Sequence, residues 1–208
     1  MPKLKYTVME REAHTLKSEI AAAAARIVVE EGLEYGPAKR RAIRQLGLPA
    51  RSALPGNDEI EESVLEYITL FCADTQPAEL AALRQLALWW MERMAGFRPH
   101  LAAAVWRGTA TRRSDIHIDL FCDDSKSAEI ALIDFRVTYE PRTVTGLRGD
   151  AVETLSVHDV CIGLNEMVGV HLLVYDHDDL RGALRLDAKG RPPRGDLAAV
   201  RRLVQNAP

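Results

Sequence analysis

The hydrophobic pattern of this chain changes period once, at Phe97–Arg98–Pro99, and that change constrains the fold more than any other feature. Before it, apolar residues recur every three or four positions, as in helices with one buried face. After it they alternate, as in strands with two unlike faces. A proline inside a helix costs ~3 kcal/mol, so no helix is expected to run through Pro99. The chain therefore reads as an α+β protein. A helical bundle is expected over residues 1–97 and a mixed-sheet α/β domain over 98–208.

Four helices are expected in the first region. One spans 15–31, capped by Thr15, with Leu16, Ile20, Ala23 and Ile27 on one face and Gly32 as terminator. A second runs from Pro37 to Leu46 and stops at Gly47. Asn57 reads as the cap of a third, whose apolar stripe is Ile60, Val64, Ile68 and Phe71 and whose first turns carry Asp58, Glu59, Glu61 and Glu62. A fourth begins near Pro77 and uses Leu80, Leu83, Leu86, Trp90 and Met94.

In the second region, Leu101–Trp106 reads as a buried strand and Gly108–Arg113 as a turn. Asp115–Phe121 alternates. Ile116, Ile118 and Leu120 face one way, and Asp115, His117, Asp119 and Phe121 the other. A helix capped by Asp124 or Ser125 follows to Phe135. Strands are expected at Val137–Val144, Val152–Val160 and Val168–Tyr175, and a last helix at Leu197–Val204. The strands at 101–106, 115–121 and 168–175 should share one sheet, with Val170, Leu172 and Val174 inward.

Composition narrows the function classes. Hydrophobic residues at 47% supply a core, and a net charge of −3 rules out a generally basic nucleic-acid binder. Cys72, Cys122 and Cys161 are far apart and odd in number, which excludes a disulfide framework and a CxxC metal pair. They read as small buried hydrophobes. The segment MPKLKYTVMEREAH is too polar for a signal peptide, and no apolar run approaches the ~20 residues a bilayer requires. The expected setting is cytoplasmic, with no membrane partner.

The chemistry-bearing segment is Gly108–Phe121. Asp115, His117 and Asp119 on one strand face are costly to bury unless they pair or hold a cation, and their donor atoms suit Mg²⁺, Mn²⁺ or Zn²⁺. The turn before them has the parts of a phosphate site. Gly108 permits close approach, Thr109, Thr111 and Ser114 offer hydroxyls, and Arg107, Arg112 and Arg113 offer charge. The competing reading is a solvated strand face beside a basic turn.

The run RGTATRRSDIHIDLF resembles the RGxxxxxSDIDLxV segment of the DNA polymerase β-like nucleotidyltransferase superfamily. The resemblance covers about Leu101–Phe135. It implies a nucleotidyltransferase-like fold that binds a nucleoside triphosphate with Mg²⁺ or Mn²⁺ and transfers a nucleotidyl group to a nucleic-acid or protein acceptor. Asp115, His117 and Asp119 would hold metal, with Asp115 and Asp119 catalytic. Gly108, Thr109 and Ser114 would hold the triphosphate, and Arg107, Arg112 and Arg113 would offset its charge. The sequence departs from the family where His117 replaces the second carboxylate of the Asp-x-Asp pair. The third carboxylate is open between Asp159 and Glu153, with His158 and His171 as substitutes. That departure sets a second expectation beside the enzyme, a non-catalytic module acting as a nucleic-acid-binding or regulatory protein. The chain also resembles small bacterial proteins named UDP-N-acetylmuramate–alanine ligase. It has no Gly-x-x-x-x-Gly-Lys-Ser/Thr loop, which argues against that name.

Three further features have plainer readings. Tyr175–Asp179 resembles a metal cluster but is placed where a strand ends and a turn is capped. Trp89, Trp90 and Trp106 have the rings to stack a base, yet Trp90 lies on the apolar stripe. Lys39, Arg40, Arg41 and Arg44 sit on a helix–turn–helix spacing similar to small DNA-binding domains, and solvation accounts for them equally well.

Overall fold

The computed structural model describes residues 2–206, with side chains over 15–206. The chain divides into two compact units, Met1–Gln76 and Pro77–Pro208.

The first unit holds α1 (Pro2–Glu31), α2 (Tyr35–Gln45) and α3 (Asn57–Phe71). Ile20, Ala24 and Ile27 of α1 are buried in one cluster with Ala38 and Ala42 of α2 and Ile60 and Val64 of α3. Gly32 and Gly47 follow α1 and α2 at φ +71° and +68°, the left-handed geometry that ends a helix without steric penalty. The expected cap of α3 shifts by one residue. Gly56 precedes the helix, and its N–H donates to Glu59 Oε2 at 2.6 Å. Asn57 instead accepts from Lys39 Nζ at 2.7 Å. Phe71 leaves the expected stripe and is exposed, its ring tilted against that of Tyr67 at 4.6 Å.

The second unit contains α4 (Gln76–Arg93), β1 (His100–Ala102), α5 (Ala103–Arg107), β2 (Ile116–Cys122), α6 (Ser125–Asp134), β3 (Glu140–Thr145), β4 (Ala151–Cys161), β5 (Glu166–Asp176), α7 (Leu180–Ala183), β6 (Gly195–Asp196) and α8 (Leu197–Gln205). The expected boundary at 97/98 falls inside this unit. Leu83, Ala87, Trp90 and Met91 of α4, with Met94 just after it, are buried with the sheet, so α4 belongs to the sheet and the helical unit keeps three helices. Apolar periodicity marks that a helix has a buried face but not which core receives it.

The strands form one mixed sheet in the order β3-β4-β5-β2-β1-β6. β2 runs parallel to β5 and antiparallel to β1. The three strands expected in one sheet are thus adjacent. Ile116, Ile118, Leu120, Val170, Leu172 and Val174 are all buried, together with Ala128 and Leu132 of α6 and Val200 of α8. The strand expected at 101–106 is cut short. After Ala102 the chain turns at Ala103, φ +52°, into the single turn of α5, and Gly108 at φ +84° ends it. At the far edge, every residue of β3 is exposed, and among the described residues the strand pairs only with 151–156 of β4. No helix among the described residues is long and apolar enough to cross a membrane.

Candidate functional site

The face of the sheet opposite α4, α6 and α8 carries a polar row beside a small apolar cluster of Phe121, Val152 and Tyr175. Strand register puts His117 of β2 level with His171 of β5 and with Ala102 of β1, and His171 level with Ser156 of β4. One residue pair along, Asp119 stands level with His100 and Leu173, and Leu173 with Thr154. Alternation alone accounts for this row. Each strand places its apolar residues under the helices, so their polar neighbours collect on the other side.

Asp115 sits just before β2, not within it. Its Oδ1 accepts from Gly169 N at 3.2 Å, and its Oδ2 lies 3.2 Å from His171 Nε2. Gly169 makes this docking feasible, because a Cβ there would lie 2.7 Å from Asp115 Oδ1. The contact with His171 holds the Asp115 carboxyl below its ordinary range, against the opposing effect of burial. The other ring nitrogen, His171 Nδ1, lies 2.9 Å from Ser156 Oγ. Asp115, His171 and Ser156 therefore form a chain of hydrogen bonds running inward from solvent. Asp115 is 52% exposed and Ser156 is 2% exposed. A serine nucleophile needs the opposite polarity, with its hydroxyl outermost. The His117 ring lies beside that of His171, with centroids 5.0 Å apart.

Asp119 is held differently. Its side chain is 3% exposed and its Oδ2 accepts from Arg194 Nε, while Arg194 Nη1 donates to Ala183 O at 2.9 Å. Burial raises the Asp119 carboxyl pKa, and Arg194, His117 and His100 pull it back. Tyr175, stacked on Phe121 at 5.5 Å, has its phenol pushed up to about 12, first by burial and then by the Asp119 charge.

Most of the residues expected to cradle phosphate are engaged within the fold. Arg107 Nη1 binds Asp187 at 2.8 Å. Arg112 pairs with Glu166 through its guanidinium, and its N–H donates to Glu79 at 2.9 Å. Arg113 lies near the same Glu166. Ser114 Oγ accepts from Thr111 N at 3.1 Å, closing the turn on itself. Thr109 is buried, and its hydroxyl finds no hydrogen-bond partner among the described residues. Gly108 supplies the left-handed residue that ends α5.

Asp159 and Glu153 alternate onto the helix-covered side of β4, away from Asp115. Asp159 accepts from Trp90 Nε1 at 3.0 Å, and Glu153 lies 3.4 Å from Lys126 Nζ. A pair of hard divalent cations requires several carboxylate oxygens at once. On this face Asp119 is tied to Arg194, and Glu140 of the edge strand, level with Ser156, pairs with Arg142, so the face does not fit the pair that the resemblance implies. Among the described residues, no three His, Cys, Asp or Glu side chains stand ready as a metal cage.

Two participants escaped the sequence reading. Arg194 lies in a polar, proline-rich stretch far from Asp119 in sequence, and no local signal links them. Ser156 left a trace in the alternation of Thr154, Ser156 and His158 with Leu155 and Val157. The plainer readings of Trp90 and of Asp176 agree with the structure: Trp90 is buried, and Asp176 Oδ1 accepts from Asp178 N at 2.8 Å, a turn cap. Only Cys161 of the cysteines is fully buried. Compared with known proteins, the chain finds no match: no family model fits it, and neither a curated protein nor a solved structure matches it.

Proposed function

We propose that this chain is a non-catalytic nucleotidyltransferase-like module that works as a regulatory binding protein. The observation that carries the reading is the buried Asp119–Arg194 pair. Transfer of a nucleotidyl group needs carboxylates that hold metal against the triphosphate, and Asp119 is committed to Arg194 inside the sheet face. Freeing it would leave a guanidinium buried without its partner, at a cost of several kcal/mol. Arg107, Arg112 and Ser114 of the 107–114 turn are likewise engaged with protein groups. A regulatory role is favoured over nucleic-acid binding by the fate of the basic helix. Lys39 is buried and bonded to Asn57, and Arg41 pairs with Glu31 at 2.6 Å, so the cationic stripe on α2 is interrupted.

The test is transfer itself. The full chain is incubated with each α-labelled nucleoside triphosphate, Mg²⁺ or Mn²⁺, and RNA, DNA or protein acceptors. Pyrophosphate release should stay at the protein-free rate. Release that disappears in Asp115→Asn would overturn the proposal and restore a metal-dependent nucleotidyltransferase, with Asp115 as its catalytic carboxylate.

A further inference from the structure

The polar face misfits two hard cations, and its donor set points elsewhere. Two ligand atoms each bound to one zinc-like ion lie about 3.0–3.4 Å apart at bond angles between square and tetrahedral, given metal–ligand bonds of ~2.1 Å. Asp115 Oδ2 and His171 Nε2 are 3.2 Å apart. A hydrogen bond satisfies both atoms equally well, so the separation alone decides nothing.

Three other observations decide it. His171 is held from behind, because Ser156 Oγ engages Nδ1 at 2.9 Å, and an outer partner of this kind orients metal-binding histidines. Asp115 is fixed in turn by Gly169 N, while more than half of its side-chain surface remains open to solvent. The second nitrogen donor comes from His117, level with His171 on the adjacent parallel strand. Imidazole and carboxylate together suit borderline cations better than Mg²⁺ or Ca²⁺, which prefer oxygen alone.

We propose that Asp115 and His171, joined by His117 after rotation of its ring, bind one borderline divalent cation of the zinc class on the polar sheet face, between the neighbouring inner strands β2 and β5. Ser156 is the positioning residue, accepting from Nδ1–H once Nε2 takes the metal. The proposal rests on the non-catalytic reading only in excluding a pair of hard cations. Hydrophobic cover on the helix side of the sheet keeps the strands in register, so the two preset atoms need no refolding to meet an ion.

The experiment uses the full chain, stripped of metal by chelator, with Co²⁺ as a spectroscopic probe and Zn²⁺ and Mg²⁺ as competitors. One Co²⁺ per chain should bind at micromolar concentration with visible d–d absorption, Zn²⁺ should displace it, and millimolar Mg²⁺ should not. Asp115→Asn and His171→Gln should each weaken binding at least 10-fold. Ser156→Ala should weaken it by about 10- to 100-fold, the range for outer-shell partners, and Ser156→Thr should restore most of it. His177→Asn, just beyond the opposite end of β5, should leave it unchanged. Absence of Co²⁺ binding at 100 µM, described as roughly a hundred times the expected constant, overturns the proposal. So does binding that survives Asp115→Asn in a variant whose circular dichroism matches wild type, or equal competition by Mg²⁺. Pyrophosphate release in the transfer assay defeats the non-catalytic reading alone, whereas missing Co²⁺ binding without release defeats the cation site alone.

Discussion

The two faces of β2 are built from neighbouring residues and solve burial in opposite ways. On the helix side, Ile116, Ile118 and Leu120 are buried among apolar groups contributed by both helices and neighbouring strands. On the other side, Asp119 is just as buried but is matched to a single guanidinium. The first solution is non-directional and tolerates repacking. The second depends on one partner in the right place, because a buried charge that loses its counter-charge has nothing to replace it. The lesson is that burial alone does not tell a core from a site. The number of interchangeable partners does.

The sharpest way to break this comparison is to truncate one residue on each face. Asp119→Ala should cost about 3–5 kcal/mol, since Arg194 is left buried and unpaired. Ile118→Ala should cost roughly 2–5 kcal/mol through lost burial and a residual cavity. Urea denaturation measures both. The distinguishing result is rescue. Adding Arg194→Met to an Asp119→Leu chain should recover most of the loss, while no single partner change should rescue Ile118→Ala. A double variant as unstable as Asp119→Ala would mean that the polar face is not organised around that pair.

A smaller effect is expected at Gly169. Alanine there would press its Cβ onto the Asp115 carboxylate, the end of a movable side chain. Stability should change by less than ~1 kcal/mol, as for other glycine-to-alanine changes with compatible backbone. The Asp115–His171 contact should nevertheless be lost, seen as a changed His171 ring signal in nitrogen-detected NMR. A large loss of stability with the ring signal intact would refute this account of the Gly169 notch.

The smallest effect is the titration of Tyr175. Its phenol pKa is raised to about 12, so the folded chain holds this proton more tightly than the unfolded chain. The associated stability is fully present below the ordinary tyrosine value of ~10 and is lost as pH rises through the folded value. Asp119→Asn should lower the pKa without restoring the ordinary value, because burial is the larger cause. Ultraviolet difference absorption reads the shift. No change in Asp119→Asn would show that the Asp119 charge does not reach Tyr175.

The sequence made the alternation of β2 legible, and with it both of its faces, because a period of two requires no partner to be recognised. The same logic found β5, α6 and α8. It failed where structure depends on a remote partner. Leu101–Trp106 was apolar enough for a strand, yet it turns helical at Ala103, and Trp106 lies where a Cβ on Gly195 would meet its ring at 2.0 Å. α4 announced its buried face but not that the face meets the sheet. The row Asp115, His117 and Asp119 was visible as three ionisable groups, but their unequal fates were not. Gly169 and His171 receive the first, and Arg194 the last, and none of these is close in sequence.

The open edge of the sheet bears on how the protein behaves in a crowded solution. β3 offers its outer backbone to any passing strand, which makes an edge the natural seed of polymerisation. Here the first half of that edge is closed to growth. Pro141 has no N–H to give, and Glu140 and Arg142 flank it as a charged pair 2.8 Å apart. An incoming strand would lose one hydrogen bond at the proline and would have to strip water from both charges before gaining the next. The first half of this edge is thus blunted by its own composition, which disfavours the addition of a seventh strand from a neighbour.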